Sequence, residues 1–530
     1  MKYVSMKYVS MKYVYMLAFC IAVTVNATGD VSAAEAPGTT LQIGAGGSDI
    51  TTLDPHRATT STDKPLIGLM FNGLVRFKPG SADPKDLEPD LAERWETSPD
   101  GRVWTFFLRK GVKFHGDWGS LTADDVVYSL TRAADPSRSS FAADFSAVES
   151  IAKVDGSTVR MTLKYPDPNF LGRLSNYHGG NIVCKRAVEE LGDKFASNPV
   201  GTGPFAFSEH ETQRHVKLVA NEGYFRGRPQ ISNIMYRTIP SDSARELAFA
   251  SGELDVIQGR REQRWVDMTR QRGNMVVDVF RPGEFRTLHI SSSIPPLDDL
   301  KVRQAIAAAV NLDDLVQFVG KSVSLKGCSV VPPGYIGEDC SSGAYAYDPV
   351  KAKALLAEAG YPNGLTLKVV VSNISAILPT MEIIQRQLAK AGIKLDMSVV
   401  DHATYQSQIR GNASALVFYG AARFPVADTY LTEFYHSSSS IGKPTAVANF
   451  SHCDVADADI QAARVEGSVE RQQELWKEAQ RKIHDAVCSV PLFELQQVWG
   501  HSKRVNYGYE LKGAMNLAPP ITEATTLMPR

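Results

Sequence analysis

The chain has 530 residues, 43% of them hydrophobic and 22% charged, with 40 Gly and 28 Pro, which excludes a disordered or collagen-like protein. A formal net charge of -1 leaves no basic field for nucleic acid or acidic lipid. At this length a single hydrophobic core does not suffice, and at least two lobes are expected.

The N-terminus opens with a tandem Met1-Lys-Tyr-Val-Ser, repeated at Met6 and Met11, so three starts are possible. Lys2, Lys7 and Lys12 precede the apolar run Met16 to Val25 and the small residues Val31-Ser-Ala-Ala34. This pattern reads as a secretory signal peptide over 1–33 and predicts export to the periplasm. No later stretch reaches the roughly 18 apolar residues of a membrane span.

Strand and helix signals then alternate, as in α/β lobes. Val103 to Arg109, β-branched and aromatic, predicts a strand. Thr122 with Asp125 three residues on predicts a capped helix that stops at Asp135-Pro136. Asp348-Pro349 opens another, closed by Gly360. Leu378 to Ala391 is a third helix, followed by a strand from Ile393 to Val400. Ser468 caps a long helix to about Asp485, and Pro491 begins a strand.

Five cysteines follow the leader: Cys184, Cys328, Cys340, Cys453 and Cys488. An exported chain permits disulfides. Cys328 and Cys340 bracket a Pro/Gly loop and are the best pair; Cys453 with Cys488 is a second candidate. Enzyme motifs are missing. There is no H-E-x-x-H, no G-x-S-x-G and no G-x-G-x-x-G, so no catalytic residue, metal or cofactor is expected.

Several blocks, in order, resemble the extracytoplasmic solute-binding proteins of ABC importers, the dipeptide, oligopeptide and nickel-binding family. They are Leu53-Asp-Pro-His56, Leu87 to Trp95, Phe107 to His115 with Leu121 to Val126, Gly201-Thr-Gly-Pro-Phe205, Gly252 to Val256, Lys301 to Ala305 and Leu355 to Pro362. The resemblance implies a two-lobed periplasmic binding protein of the second topological type, with an extra subdomain inserted in the first lobe. By that analogy lobe I covers 35–77, 200–288 and 500–530, the inserted subdomain 78–199, and lobe II 289–499. It further implies a non-enzymatic monomer that closes around a peptide or small anionic solute and presents it to the permease subunits in the inner membrane. Opines, nickel chelates, haem and oligosaccharides are the alternative cargoes.

The same resemblance places Thr59, Thr60 and Ser61 at the ligand from the first lobe, and Tyr177 and His178 from the insertion. The block Val417 to Leu431 supplies Tyr419, Arg423 and Asp428. Peptide-binding relatives carry there a tryptophan and an amine-binding aspartate. Here the tryptophan is missing and Arg423 stands at the aspartate's place. An arginine fork repels an ammonium and holds a carboxylate in two bonds, so an anionic ligand group is expected. The competing expectation is that Arg423 pairs with Asp428 or another nearby carboxylate. Trp265, in a charged segment at the lip of the cleft, is a candidate lid.

Overall fold

The computed structural model describes residues 40–47, 49–167, 169–442 and 448–529; the leader expected over 1–33 lies outside them. A mixed sheet of nine strands organises the molecule. Its order is Leu416–Ala421, Met275–Ile290, Ser489–Ser502, Val256–Gln258, Thr40–Ala45, Asn233–Thr238, His215–Ala220 and Phe205–Glu211, with Ser324–Lys326 added beside Ser489–Ser502.

Ser489–Ser502 is buried along nearly its whole length, as a strand covered on both faces must be. One edge pairs with Met275–Ile290. The other carries Ser324–Lys326 opposite Phe493 to Leu495, then Val256–Gln258 opposite Trp499 to His501. The same strand therefore serves two halves of the molecule in succession.

The ladder between the two long strands loses register between Phe280 and Glu284. Arg281-Pro282-Gly283 fills the gap, and proline brings no N–H to a ladder. Gly283 lies so close to the backbone of Leu495 that no side chain fits. Its N–H donates to the buried Glu494 carboxylate at 2.7 Å. Arg281 Nε, at 2.9 Å, and the Tyr335 hydroxyl, at 3.2 Å, donate to the same carboxylate.

A second, antiparallel sheet runs Ala92–Thr97, Val103–Leu108, Thr158–Leu163, Val148–Asp155. Helix Ala123–Ala134 covers it, and Phe106, Val126, Leu130, Val159 and Met161 form a separate core. Its cap is the expected one: Asp125 Oδ2 accepts from Thr122 N at 3.0 Å and Thr122 Oγ1 at 2.7 Å. Helix Pro349–Glu358 is capped by Asp348, whose side chain accepts from Val350 N and Lys351 N. Leu365–Ser372 and Ile393–Val400 pair in parallel around helix Leu378–Lys390. Helix Val469–Asp485 starts on Ser468 as anticipated.

Two readings need correction. Pro491 does not begin its strand, which already starts at Ser489. Trp265 is no lid: it sits in helix Gln263–Arg270, 8% exposed, with its ring packed on Gly259 and Gly500. Helical burial of a large apolar ring outweighed the charges around it.

Disulfides join Cys328 to Cys340 and Cys453 to Cys488, and Cys184 is a buried free thiol. Among the described residues no helix is long and apolar enough to cross a membrane.

Candidate functional site

The segment ahead of helix Lys64–Met70 folds on itself. Thr60 Oγ1 meets Thr62 Oγ1 at 2.8 Å and accepts from Asp63 N at 3.2 Å, while Asp63 Oδ1 accepts from Thr51 N at 2.8 Å. Thr59 and Ser61 are exposed. Thr60 O accepts from Lys64 N at 3.3 Å, which ties this turn to the start of the helix. What the segment sends forward is Lys64, at the first position of the helix, where Pro65 follows it.

Lys64 was not singled out from the sequence. Its ammonium lies 5.4 Å from the centroid of the Tyr177 ring, a cation–π distance. The residue is half-buried, and its Nζ forms no hydrogen bond or ion pair with any described residue. Burial first, then the charge of Arg423, pull its pKa down to about 8. A lysine that packs against apolar surface ordinarily keeps its head in water or on a carboxylate. No sequence signal marks a lysine left without a partner, because the partner's absence is a property of the assembled site.

Tyr177, stacked on His178, stands beside Lys64. The His178 ring stacks between Tyr177, centroids 3.6 Å apart, and Phe141, 4.2 Å apart. Its Nδ1 lies 3.6 Å from Asp144 Oδ2. Burial, with Lys64 nearby, lowers the His178 pKa to about 3, so the ring is neutral. Burial raises Tyr177 above the ordinary phenol range.

From the opposite side, Leu416–Ala421 presents Tyr419, half-buried against Phe450 at 4.9 Å and Phe434 at 6.2 Å. Its neighbour Phe418 points into the core, as strand alternation requires. Arg423 holds Glu433 with both prongs of its fork, Nε to Oε2 and Nη2 to Oε1, each at 2.5 Å. Burial opposes the charge, but Glu433 overrides it and raises the arginine's pKa. The expected neighbouring carboxylate is thus Glu433, and Asp428 is engaged elsewhere. Asp428 meets Arg464 and, across the gap, Arg173 of the insertion, each at 3.6 Å. Burial raises its pKa.

The two halves are in contact around this centre. Phe424 lies 6.0 Å from Phe77, ring to ring, and rests directly on Gly172. Phe77, Tyr177 and Met515 form a small apolar cluster against it. Two cations, Lys64 and Arg423, thus stand near Tyr177 and near each other, and of the two only Arg423 holds a carboxylate in an ion pair. Nothing here pairs a nucleophile with a base. The arrangement can hold a polar solute and close on it.

Comparison with known proteins agrees. MoaA from A. tumefaciens R10, solved in complex with mannopinic acid, is 47% identical, with a TM-score of 0.85 over 92% of this chain and 99% of that one. DppA from Helicobacter pylori, solved with the peptide STSA, is 28% identical, with a TM-score of 0.78 over 92% and 98%. Heme-binding protein A of Haemophilus influenzae is 30% identical over 452 residues, 80% of this chain and 81% of its own length. The family model "Bacterial extracellular solute-binding proteins, family 5 Middle" matches residues 86–442. The chain belongs to the bacterial extracellular solute-binding proteins of family 5, the two-lobed solute-binding components of ABC importers.

Proposed function

We propose that this chain captures, in the periplasm, a small peptide-like solute bearing a carboxylate, an amino-acid conjugate or short acidic peptide, and delivers it as a closed monomer to the permease subunits. The observation that carries this reading is Lys64: a half-buried ammonium that forms no ion pair with any described residue, while the carboxylates that act on it from a distance, Asp144 and Glu433, hold other partners. A half-buried charge without an ion-pair partner bears part of the desolvation cost of a buried one, and a ligand carboxylate offsets it at closure. The likeness to a protein solved with mannopinic acid, an acid by name, supports the same chemistry.

The ligand shifts the open–closed equilibrium only by its greater affinity for the closed form. In this reading lobe I comprises 35–77, 200–288 and 500–530, carries the insertion 78–199, and faces lobe II, 289–499. The register break at Phe280–Glu284, beside Glu494, is the proposed hinge.

Calorimetric titration with mannopinic acid, glutathione and a panel of dipeptides, free and C-terminally amidated, tests the proposal. Carboxylate-bearing solutes are expected to bind and amidated ones to bind at least tenfold more weakly. Equal affinity for the amidated and free forms sinks the reading.

A further inference from the structure

Between Lys326 and Pro349 the chain forms no helix or strand of its own. A loop of this length is fixed only by what ties it down. Cys328 and Cys340 close its first half with a disulfide.

That half grips the gap in the long ladder. The Pro333 carbonyl accepts from Arg281 Nη2, and the Arg281 guanidinium lies 4.9 Å from the centroid of the Tyr335 ring. With the bond from the Tyr335 hydroxyl to Glu494, the loop holds both Arg281 and Glu494, the two side chains at the gap. Just ahead of Cys328, strand Ser324–Lys326 sets Leu325 opposite Glu494 itself. Past Tyr335, Ile336 N donates to Pro425 O at 3.1 Å, and Ile336 O accepts from Ala427 N at 2.8 Å. Pro425 directly follows Arg423 and Phe424. Helix Val469–Asp485 steadies the loop through Gln480, which accepts from Ser329 Oγ at 2.7 Å and Asp339 N at 3.1 Å and donates to Gly337 O at 2.8 Å.

The two disulfides differ in access. Cys453 and Cys488 are 4% and 6% exposed, whereas Cys340 is exposed and Cys328 half-buried. Thiol–disulfide exchange requires a thiolate to reach one of the sulfurs. The Glu338 carboxylate stands at the exposed pair, touching Cys340 Sγ and 3.5 Å from Cys328 Sγ. Its charge opposes an approaching thiolate.

We infer that the Cys328–Cys340 disulfide is a redox-sensitive strap on the ladder gap, opened by a dithiol reductant at Cys340 and shielded by Glu338. One thiolate of the reductant attacks Cys340 Sγ, the bond to Cys328 breaks, and the departing Cys328 thiolate takes up a proton. The reductant's second thiol gives up its proton and displaces Cys340 from the mixed disulfide, and the Cys340 thiolate is protonated in turn. The cystine ends as two thiols and the dithiol as a disulfide. With the strap open, the loop's hold on Arg281 and Glu494 loosens, and the Gly283 amide, which donates to Glu494, loses protection. The inference is independent of which solute the protein carries.

Dithiothreitol applied to the folded protein, with alkylation and mass spectrometry, times the opening of each disulfide. Cys328–Cys340 is expected to open about tenfold or more faster than Cys453–Cys488, and about threefold faster again in Glu338→Gln. Hydrogen exchange on the selectively reduced and alkylated protein then reads the gap. Exchange at Gly283 is expected to rise about tenfold, while Val159 and Met161 in the second sheet keep their rates. The paired Cys328→Ser, Cys340→Ser protein gives the same reading without an alkyl group. Tyr335→Phe, with the disulfide intact, moves Gly283 in the same direction, and the paired Cys453→Ser, Cys488→Ser protein does not. Unchanged exchange at Gly283 after reduction overturns the strap. An equal rise at every amide overturns it as well, since that marks general destabilisation. Earlier opening of Cys453–Cys488, or a rate indifferent to Glu338→Gln, overturns the shielded entry at Cys340.

Discussion

Arg173 of the insertion and Asp428 of helix Ala427–Tyr435 approach to 3.6 Å, Nη2 to Oδ2, across the boundary between the two halves. Each has a partner on its own side: Asp167 at 2.9 Å for the arginine, Arg464 at 3.6 Å for the aspartate. If the halves separate, each charge keeps its own partner, so the crossing pair adds to the joined arrangement without creating either charge anew. An ion pair that exists in only one of two states shifts their balance by its own free energy.

Asp428→Asn and Arg173→Gln are expected to lower ligand affinity about tenfold, roughly 1.4 kcal/mol, although neither residue need touch the ligand. Small-angle scattering with and without saturating ligand checks this, since a larger fraction of the variants stays open at equal ligand concentration. Unaltered affinity in both variants would show that the pair is incidental.

Gly172 carries a sharper test. A methyl group there would collide with the Phe424 ring, a contact made across the halves. Gly172→Ala should leave the melting temperature of the empty protein within a few degrees. Affinity should fall at least tenfold, because overpacking costs about 1–3 kcal/mol and is felt only when the halves meet. Thermal melts with and without ligand separate the two effects.

Lys64 predicts a pH dependence. Its pKa is about 8 in the empty protein, and a bound carboxylate raises it by favouring the ammonium. Below pH 8 the ammonium is present and affinity is constant. Above pH 8 binding must first take up a proton, and affinity falls by up to tenfold per pH unit until the bound-state pKa is reached. His178, lowered to about 3, and Tyr177, raised, stay neutral throughout. Arg423 stays charged. Lys64→Arg should flatten the profile between pH 7 and about 10, because guanidinium keeps its proton there. A sloping profile in that variant refutes the assignment.

The two disulfides close loops of different length, 12 and 35 residues apart in sequence. In the chain-entropy account they stabilise by about 3 and about 4 kcal/mol. Paired serine substitution at Cys453 and Cys488 is expected to lower the melting temperature more than the same change at Cys328 and Cys340. The reverse order would place the stabilisation in the folded state.

Elements with explicit local punctuation were legible. Thr122 with Asp125, Asp348 before Pro349, and Ser468 each marked a helix start that the backbone follows. In strand Leu416–Ala421 only the step from buried Phe418 to half-buried Tyr419 follows a two-residue period, since Leu416 and Val417 are buried beside Phe418. The sheet was not legible. Nothing in 275–290 announces that one strand will pair on both sides of a break with Ser489–Ser502, since that partner lies 200 or more residues away. Arg423 illustrates the limit for the site. Its identity showed that a cation stands there, but its choice of Glu433 over Asp428 follows from the turn of helix Ala427–Tyr435. Lys64 escaped notice because sequence records which charges exist, not which of them remain unanswered.

Glu494 grips both shoulders of the gap in the long ladder, through the Gly283 amide on one strand and the Arg281 side chain beside it. Rungs above and below stay intact, so the largest gap in this pair of long strands is confined to three residues, and a hinge built there has one place to bend.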